Sequence, residues 1–419
     1  MTEIMRITGK NDGGTEDVPY RVMLVDDSSV IRGLLTRALD GHPMIQVLSS
    51  AADGAIALTM LEKTSVDVII LDIEMPVMDG LTALPKLLAI DPAVKIIVAS
   101  TLSLKNAEIS LHALNLGAAD YMPKPSSTRE LTTTRDFKDE LIEKILVLGA
   151  VARKAGVRGG AANIQAAAVK PRDVPQRTAA TPASVLAPAR KEPAVAMPTG
   201  VIAAAPAQRM RAPVSTGKIA LRAAPKPNPD IILIGSSTGG PQALFRVIKE
   251  MGRIKQPVLI TQHMPPSFTT ILAEHIGKQC NVICVEAKDN MPLEGGVYYV
   301  APGDYHMLVQ NHSGKHTLVL TKDPQENFCR PAVDPMLRSA IAVFGRKVMV
   351  VILTGMGQDG WKGSEMVVEA GGAVIAQDEA TSVVWGMPGA VANAGLCSAV
   401  LPIDQIGAYV RRLAQGATV

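Results

Sequence analysis

The sequence lacks the features that mark secreted, membrane-spanning and zinc-stabilised proteins. Its four cysteines are scattered and form no CxxC pair. No apolar run approaches the roughly 18 residues that cross a bilayer, and Met1–Tyr20 contains no apolar core of the kind a signal peptide needs. We therefore expect no disulfide framework, no structural zinc site and no membrane insertion, and we predict a cytoplasmic protein.

Neither sign of charge is in large excess, and the small excess of basic residues is confined to one segment. The chain of 419 residues carries 42 Lys and Arg against 39 Asp and Glu, a net charge of +3. Residues 171–229 alone contain nine basic and two acidic residues, with 11 Pro and 15 Ala. Because the remainder is slightly acidic, we expect no nucleic-acid partner. Frequent proline and few bulky apolar groups predict a flexible linker here.

Apolar strand-like runs alternate with amphipathic helical patterns before the linker, which predicts a doubly wound five-stranded parallel α/β domain over residues 20–148. The five predicted strands are Arg21–Val25, Ile45–Ser50, Val68–Leu71, Lys95–Ala99 and Ala119–Met122. An Ala- and Pro-rich flexible linker is predicted over residues 149–228.

A second doubly wound α/β domain is predicted over residues 229–416. Its strand candidates are Ile231–Ile234, Val258–Thr261, Val348–Leu353 and Ala373–Ala376. A hairpin-like stretch from Gly296 to about Thr321 is expected to add antiparallel strands to an otherwise mostly parallel sheet.

Polar side chains follow the strands of the first domain at one edge of the predicted sheet. Asp26 and Asp27 follow the first strand, Asp72 the third, Ser100 the fourth and Lys124 the fifth. The carboxyl ends of parallel strands meet at one crevice, so three carboxylates are expected to repel one another there and to favour a hard divalent cation. The pattern predicts a Mg²⁺ site beside a carboxylate that can accept a phosphoryl group.

The second domain places a hydroxyl, an imidazole and a carboxylate after three of its strands. Ser237 is central in a G-x-S-x-G turn between a strand and a helix, His263 follows the second strand, and Asp359 lies on a glycine-rich loop after the third. A serine hydroxyl needs an imidazole to take its proton, and the imidazole needs a carboxylate to fix its tautomer. Together the three predict a Ser-His-Asp hydrolase site.

The first domain resembles the receiver domain of bacterial response regulators over residues 20–145. The resemblance implies that Asp72 is phosphorylated. It further implies that Asp26, Asp27 and Asp72 hold Mg²⁺ with the Glu74 carbonyl, and that Lys124 contacts the phosphate. The switch hydroxyl is Ser100 or the adjacent Thr101, a choice that the sequence leaves open.

The segments GSSTGG, QHMPPSFT, RPAVDPML and LTGMGQDG resemble the bacterial chemotaxis protein-glutamate methylesterases (the CheB family) over residues 230–415. The resemblance implies that Ser237 is the nucleophile, His263 the base and Asp359 its orienter. It also implies an oxyanion donor at the Met356 N–H, supported by Thr238. Arg330 and Asp334 are expected to line the cleft or to hold the loop.

A phosphorylation-activated esterase is the function that the resemblance implies. Its substrates would be glutamate methyl esters on chemoreceptor cytoplasmic helices, with deamidation of receptor glutamines as a second reaction. A histidine kinase would be the phosphodonor, and the ester chemistry would need no cofactor. The alternatives are a phosphorylation-controlled binding module without chemistry and a DNA-binding response regulator. The latter is disfavoured because no basic recognition helix is visible.

Overall fold

A computed structural model describes residues 18–100, 104–124, 135–159, 219–223 and 228–417 of the chain. The amino-terminal part forms a five-stranded, fully parallel sheet in the order β2-β1-β3-β4-β5. Its strands are β1 Tyr20–Val25, β2 Ile45–Ala51, β3 Val68–Asp72, β4 Lys95–Ser100 and β5 Asp120–Pro123. The order reverses beside β1, so β1 and β3 end at the crevice where ligands bind in such sheets.

Helices connect these strands, and several start at the side-chain caps that the sequence provides. They are α1 Ser29–Leu39, α2 Gly54–Leu61, α3 Gly80–Ile90, α4 Leu104–Asn115 and α5 Arg135–Gly159. Ser28, Asp53 and Asp79 each accept a hydrogen bond from a backbone N–H in the first turn of α1, α2 and α3. Such caps satisfy donors that a helix start leaves unpaired. The doubly wound receiver-like architecture is confirmed.

The carboxy-terminal part contains a seven-stranded sheet in the order β14-β13-β12-β6-β7-β9-β8, and every adjacent pair is parallel. Its strands are β6 Ile231–Ser236, β7 Val258–Gln262, β8 Ile283–Glu286, β9 Val297–Val300, β12 Val348–Ile352, β13 Ala373–Gln377 and β14 Ala399–Leu401. The order reverses at β6, with β7 on one side and β12 on the other.

Within residues 228–417, six α-helices pack around this sheet. They are α6 Gly240–Met251, α7 Phe268–Cys280, α8 Val333–Phe344, α9 Trp361–Glu369, α10 Met387–Asn393 and α11 Ile403–Ala414. The central strands β6, β7, β12 and β13 are buried along their whole length. Burial on both sides explains why these strands read as continuous apolar runs.

The predicted hairpin and the predicted end of the first domain both differ in detail from the structure. The hairpin strands, β10 His306–His312 and β11 Lys315–Thr321, pair only with each other and form a separate two-stranded sheet. Val297–Val300, which lies in the same predicted stretch, joins the seven-stranded sheet as β9, parallel to β7 and β8. The boundary expected at residue 149 falls inside α5, which continues to Gly159. Its buried residues Leu148 and Ala152 hold it to the domain.

Among the described residues, no helix combines the length and the apolar character needed to cross a membrane.

Candidate active site and receiver site

Three neighbouring strands of the second sheet carry the predicted triad to one edge. Ser237 follows β6 and His263 follows β7, one residue beyond the paired Ser236 and Gln262. The His263 N–H donates to the Ser236 carbonyl at 3.1 Å, which extends the pairing to the histidine. Paired strands lie about 4.8 Å apart, so the serine and the histidine are direct neighbours across the sheet. Asp359 comes from the loop after β12, the other neighbour of β6.

The carboxylate of Asp359 holds the imidazole of His263, with 2.8 Å between Oδ2 and Nε2. Asp359 is almost fully buried and lies at the start of α8. There it accepts from the backbone N–H groups of Val333 at 2.6 Å and Asp334 at 3.1 Å, and from that of Gly360 at 2.9 Å. Burial alone would raise the pKa of Asp359, but the histidine and these donors outweigh it and lower the pKa. Asp359 therefore stays ionised and orients the ring.

The second nitrogen of the His263 ring, Nδ1, contacts the thiol of Cys329, with 3.3 Å between Nδ1 and Sγ. Burial would lower the pKa of His263, but Cys329 and Asp359 outweigh it and raise the pKa to about 10. Within the described part of the chain, the hydroxyl of Ser237 makes no hydrogen bond. The histidine is thus aligned by Asp359 but engaged by a sulfur atom instead of the serine oxygen.

The turn that carries Ser237 is fixed by its neighbours. The Ser237 N–H donates to the Thr354 carbonyl at 3.0 Å, and the Gln262 amide donates to the Ser237 carbonyl at 2.9 Å. The Gln262 side-chain oxygen also accepts from the Ser236 hydroxyl at 2.7 Å. Gly239, at φ 74°, is the residue directly before α6. A helix amino terminus at this position is suited to stabilise negative charge.

The candidate oxyanion donors differ in their availability. The Met356 N–H forms no hydrogen bond to any described residue, as expected for a donor kept for a ligand. The Thr238 hydroxyl donates instead to Asp120 Oδ2 at 2.8 Å, so its side chain is committed to the first domain in this arrangement. Support of an oxyanion by Thr238 stays a prediction.

Asp334 and Arg330 both hold loops. Asp334 Oδ1 accepts from the Gly363 N–H at 2.7 Å. Burial and the nearby Asp359 raise the pKa of Asp334 to about 6. Arg330 donates to Asp304 Oδ1 at 2.6 and 3.1 Å, which anchors the segment before α8. The predicted loop-holding role fits these contacts better than lining of the cleft.

In the first domain, carboxylate oxygens of Asp26, Asp27 and Asp72 all lie within 4.8 Å of one another. Lys124 Nζ bridges two of them, at 2.7 Å from Asp26 and 2.6 Å from Asp72. Burial, reinforced by Asp26, raises the pKa of Asp72 although Lys124 partly opposes this. Burial disfavours charged Lys124, but its two carboxylate partners outweigh burial and raise its pKa. Three clustered oxygen ligands with one exposed member fit a partly hydrated Mg²⁺.

The other predicted receiver residues are placed as follows. Ser100 ends β4 and is buried, and its carbonyl accepts from the Lys124 N–H at 2.7 Å. The Glu74 N–H lies 3.4 Å from Asp72 Oδ1, on the loop that leaves β3. A metal contact from the Glu74 carbonyl stays a prediction, and Thr101 lies outside the described residues.

The first domain contacts the second beside Ser237. Asp120, whose Oδ2 accepts from Thr238, is also paired with Lys144 at 3.1 Å. Tyr121 stacks on Phe268 with ring centroids 4.5 Å apart and an interplanar angle of 16°. The Gln242 amide donates to the carbonyls of Leu114 and Ala118, both at 2.8 Å. The carboxyl-terminal end of α4 and strand β5 therefore lie against the start of α6 and of α7.

Several residues around the site were not identified from the sequence. Asn327 donates to both Asp334 Oδ2, at 3.1 Å, and Asp359 Oδ1, at 2.9 Å. Cys329, Gln262 and Asp120 also make contacts that the sequence did not predict. Asn327 and Cys329 directly precede the RPAVD segment, and that proximity is the only sequence signal they carry.

Comparison with known proteins relates both halves of the chain to one family. Residues 232–410 match the CheB methylesterase family and residues 22–135 match the response regulator receiver domain. The chain is 56% identical to the protein-glutamate methylesterase/protein-glutamine glutaminase of group 2 operon from Rhodospirillum centenum, covering 98% of this chain and 97% of the relative.

Two further proteins are similar to this chain. A protein-glutamate methylesterase/protein-glutamine glutaminase from Azospirillum brasilense is 54% identical over 98% of this chain and 96% of its own. The crystal structure of the Thermotoga maritima CheB methylesterase catalytic domain is 40% identical and covers 44% of this chain and 99% of its own, with a TM-score of 0.43. With identity above one half over nearly its full length, this chain belongs to the CheB family of protein-glutamate methylesterases, with a receiver domain ahead of the esterase domain.

Proposed function

We propose that the chain hydrolyses glutamate methyl esters on the cytoplasmic helices of chemoreceptors to glutamate and methanol, using Ser237, His263 and Asp359. The observation that carries this proposal is the bond between His263 Nε2 and Asp359 Oδ2 at 2.8 Å, beside a serine on the adjoining strand. Since Nε2 faces the carboxylate, Nδ1 is the nitrogen that serves the serine.

The reaction follows the chemistry of acyl transfer. Ser237 Oγ attacks the ester carbonyl while its proton passes to His263 Nδ1, and the Met356 N–H stabilises the oxyanion. His263 returns that proton to the leaving methoxide, which departs as methanol. Water then attacks the acyl-serine with its proton taken by His263, and the glutamate carboxylate and the serine hydroxyl are restored. A receptor glutamine would react in the same way with ammonia as the leaving group.

The first domain is proposed to control this site by covering it. Its β5 and the end of α4 contact Thr238 and Gln242, which flank the nucleophile turn. A histidine kinase would phosphorylate Asp72, and Lys124 and the Ser100 or Thr101 hydroxyl would hold the new charge. Mg²⁺, held by Asp26, Asp27, Asp72 and the Glu74 carbonyl, supplies positive charge that neutralises phosphoryl oxygens when bound.

Chemoreceptors and a kinase of a chemotaxis pathway are accordingly the proposed partners, and the cytoplasm is the proposed location. A receiver-controlled module that only binds would have no use for the buried carboxylate that Asp359 presents to His263. The contacts around that carboxylate favour the enzyme over the binding module.

The decisive experiment measures methanol release from a chemoreceptor cytoplasmic fragment methylated at its glutamates. Ser237→Ala is expected to lower the rate by at least about 10³-fold while binding of the fragment is retained. The matched control is Ser398→Ala, which removes a hydroxyl outside the proposed site and should leave the rate unchanged. Equal release by the native chain and by Ser237→Ala would refute the nucleophile assignment.

A further inference from the structure

We propose that Cys329 is a positioning residue that holds the His263 imidazole in a resting arrangement, by occupying the ring nitrogen that Ser237 needs for its activation. The inference rests on the proposed function, because it concerns the histidine of the same site. It starts from two contacts of one ring: Nε2 to Asp359 Oδ2 at 2.8 Å and Nδ1 to Cys329 Sγ at 3.3 Å.

The geometry of imidazole makes these contacts exclusive. Each ring nitrogen offers one in-plane position, either a lone pair or an N–H. Asp359 takes the position on Nε2, so Ser237 and Cys329 compete for the one on Nδ1. Within the described residues the serine hydroxyl is without a hydrogen-bond partner, so the sulfur holds that position in this conformation.

The charges around the ring reinforce this resting arrangement. Cys329 and Asp359 face His263 directly, and behind Asp359 lie Asp334 and the guanidinium of Arg338. Burial opposes charge on the ring, but the two facing groups raise the pKa of His263 to about 10. An imidazolium has no lone pair on Nδ1, so it cannot accept the serine proton.

Activation then requires one proton transfer and one exchange of partners. The Nδ1 proton passes to solvent, which leaves a neutral imidazole with a lone pair on Nδ1. Nδ1 then leaves the sulfur and accepts the hydrogen bond of the Ser237 hydroxyl. The position of Cys329 is itself fixed, because Asn327 is bound to Asp359 on one side and Arg330 to Asp304 on the other.

Two substitutions in the full chain separate the sulfur atom from the occupation of Nδ1. Cys329→Ala removes both, whereas Cys329→Ser replaces the sulfur by a hydroxyl that still competes for Nδ1. Cys284→Ala is the matched control, since it removes a half-buried thiol on β8 that has no contact with His263. The readouts are the pKa of His263, from ¹⁵N NMR of its ring, and the pH dependence of methanol release from the methylated receptor fragment.

Both Cys329 variants are expected to lower the pKa of His263 by at least about one unit. At a pH below that pKa, the fraction of His263 that is neutral then rises about tenfold. The acid limb of kcat/KM should move to lower pH by the same amount. At neutral pH, Cys329→Ala should release methanol faster than Cys329→Ser, and Cys284→Ala should match the native chain. An unchanged His263 pKa in Cys329→Ala would overturn the proposal, and so would an unchanged acid limb.

The NMR titration needs no turnover, so it tests Cys329 even if the proposed esterase function fails. A lowered His263 pKa together with methanol release that survives Ser237→Ala would leave the thiol–imidazole pair standing and remove the serine mechanism. An unshifted His263 pKa together with methanol release that is lost in Ser237→Ala would remove the thiol–imidazole pair and leave the serine mechanism standing.

Discussion

Asp359 shows how one buried carboxylate is kept ionised and immobile. Its two oxygens accept from His263, from three backbone N–H groups and from the Asn327 amide. Two of the backbone donors belong to the first turn of α8, which lacks a side-chain cap of its own. The carboxylate thus satisfies orphan donors of a helix while it orients the imidazole.

Asn327 stabilises the pairing of two buried carboxyl groups, because its single amide nitrogen donates to both Asp334 and Asp359. Asn327→Ala removes that donor and leaves the two groups facing each other, so we expect a loss of about 1–3 kcal/mol in unfolding free energy. A reoriented Asp359 should also lower kcat of methanol release by about tenfold or more. Urea unfolding and the release assay check the two effects.

The matched control for this substitution is Asn311→Ala, which removes an exposed side chain that accepts from Gly314 in the β10–β11 turn. It should change the unfolding free energy by less than about 1 kcal/mol and leave the rate unaltered. Equal effects of the two substitutions would show that Asn327 serves the fold without serving the site.

At the scale of the elements, α6 has two roles. Its first residue follows the turn that carries Ser237, and its third residue, Gln242, reaches the end of α4 in the first domain. The Leu114 carbonyl lies in the last turn of α4 and also accepts from the Gly117 N–H, and the Ala118 carbonyl lies between α4 and β5. A change in the position of α4 would therefore act on the helix that begins beside Ser237.

Gln242→Glu tests this connection, because a carboxylate at that position repels both carbonyls. Two lost hydrogen bonds of about 1 kcal/mol each correspond to a shift of up to roughly 30-fold between docked and undocked forms. We expect the methanol release of the unphosphorylated chain to rise several-fold towards the phosphorylated rate.

Gln256→Glu provides the control, since Gln256 also donates to a carbonyl, that of Ala414 at 2.8 Å, but within the second domain. It should not raise the unphosphorylated rate. If neither substitution raises the rate, the contact between the domains does not restrain the esterase.

At the scale of the whole molecule, the first domain contains both the carboxylate cluster and the surface that contacts the second domain beside Ser237. The carboxylate cluster lies at the ends of β1 and β3, and the contact with the second domain is made by β5 and α4. Lys124 connects the two regions, because it follows β5 directly and bridges Asp26 and Asp72. A phosphoryl group on Asp72 would compete with these carboxylates for Lys124.

Asp72→Asn should therefore abolish activation by a phosphodonor while the unphosphorylated rate of methanol release persists. The control is Asp79→Asn, on the loop after β3. Asparagine keeps an oxygen that can accept from the Thr82 N–H, as Asp79 does. This variant should be activated like the native chain. Retained activation of Asp72→Asn would assign phosphorylation to another residue. The comparison requires the rate with and without the phosphodonor for each chain.

The fold and most of the site residues could be predicted because parallel strands impose a simple rule. Apolar runs locate the strands, and all carboxyl ends of a parallel sheet meet at one edge. Asp26, Asp72, Ser237 and His263 could therefore be assigned to their crevices from position alone. The hairpin was misplaced because an alternating pattern identifies a strand without identifying its partner.

Local sequence thus determined which residues end the strands, and with them the chemistry available at each crevice. Only the tertiary structure decided which partner each group meets. The contact of Cys329 with His263 joins residues 66 positions apart in the chain. The contacts of Asn327 with Asp359 and of Gln242 with Leu114 join residues 32 and 128 positions apart. No local pattern encodes such pairs, because they form only when separate elements pack against one another and exclude water.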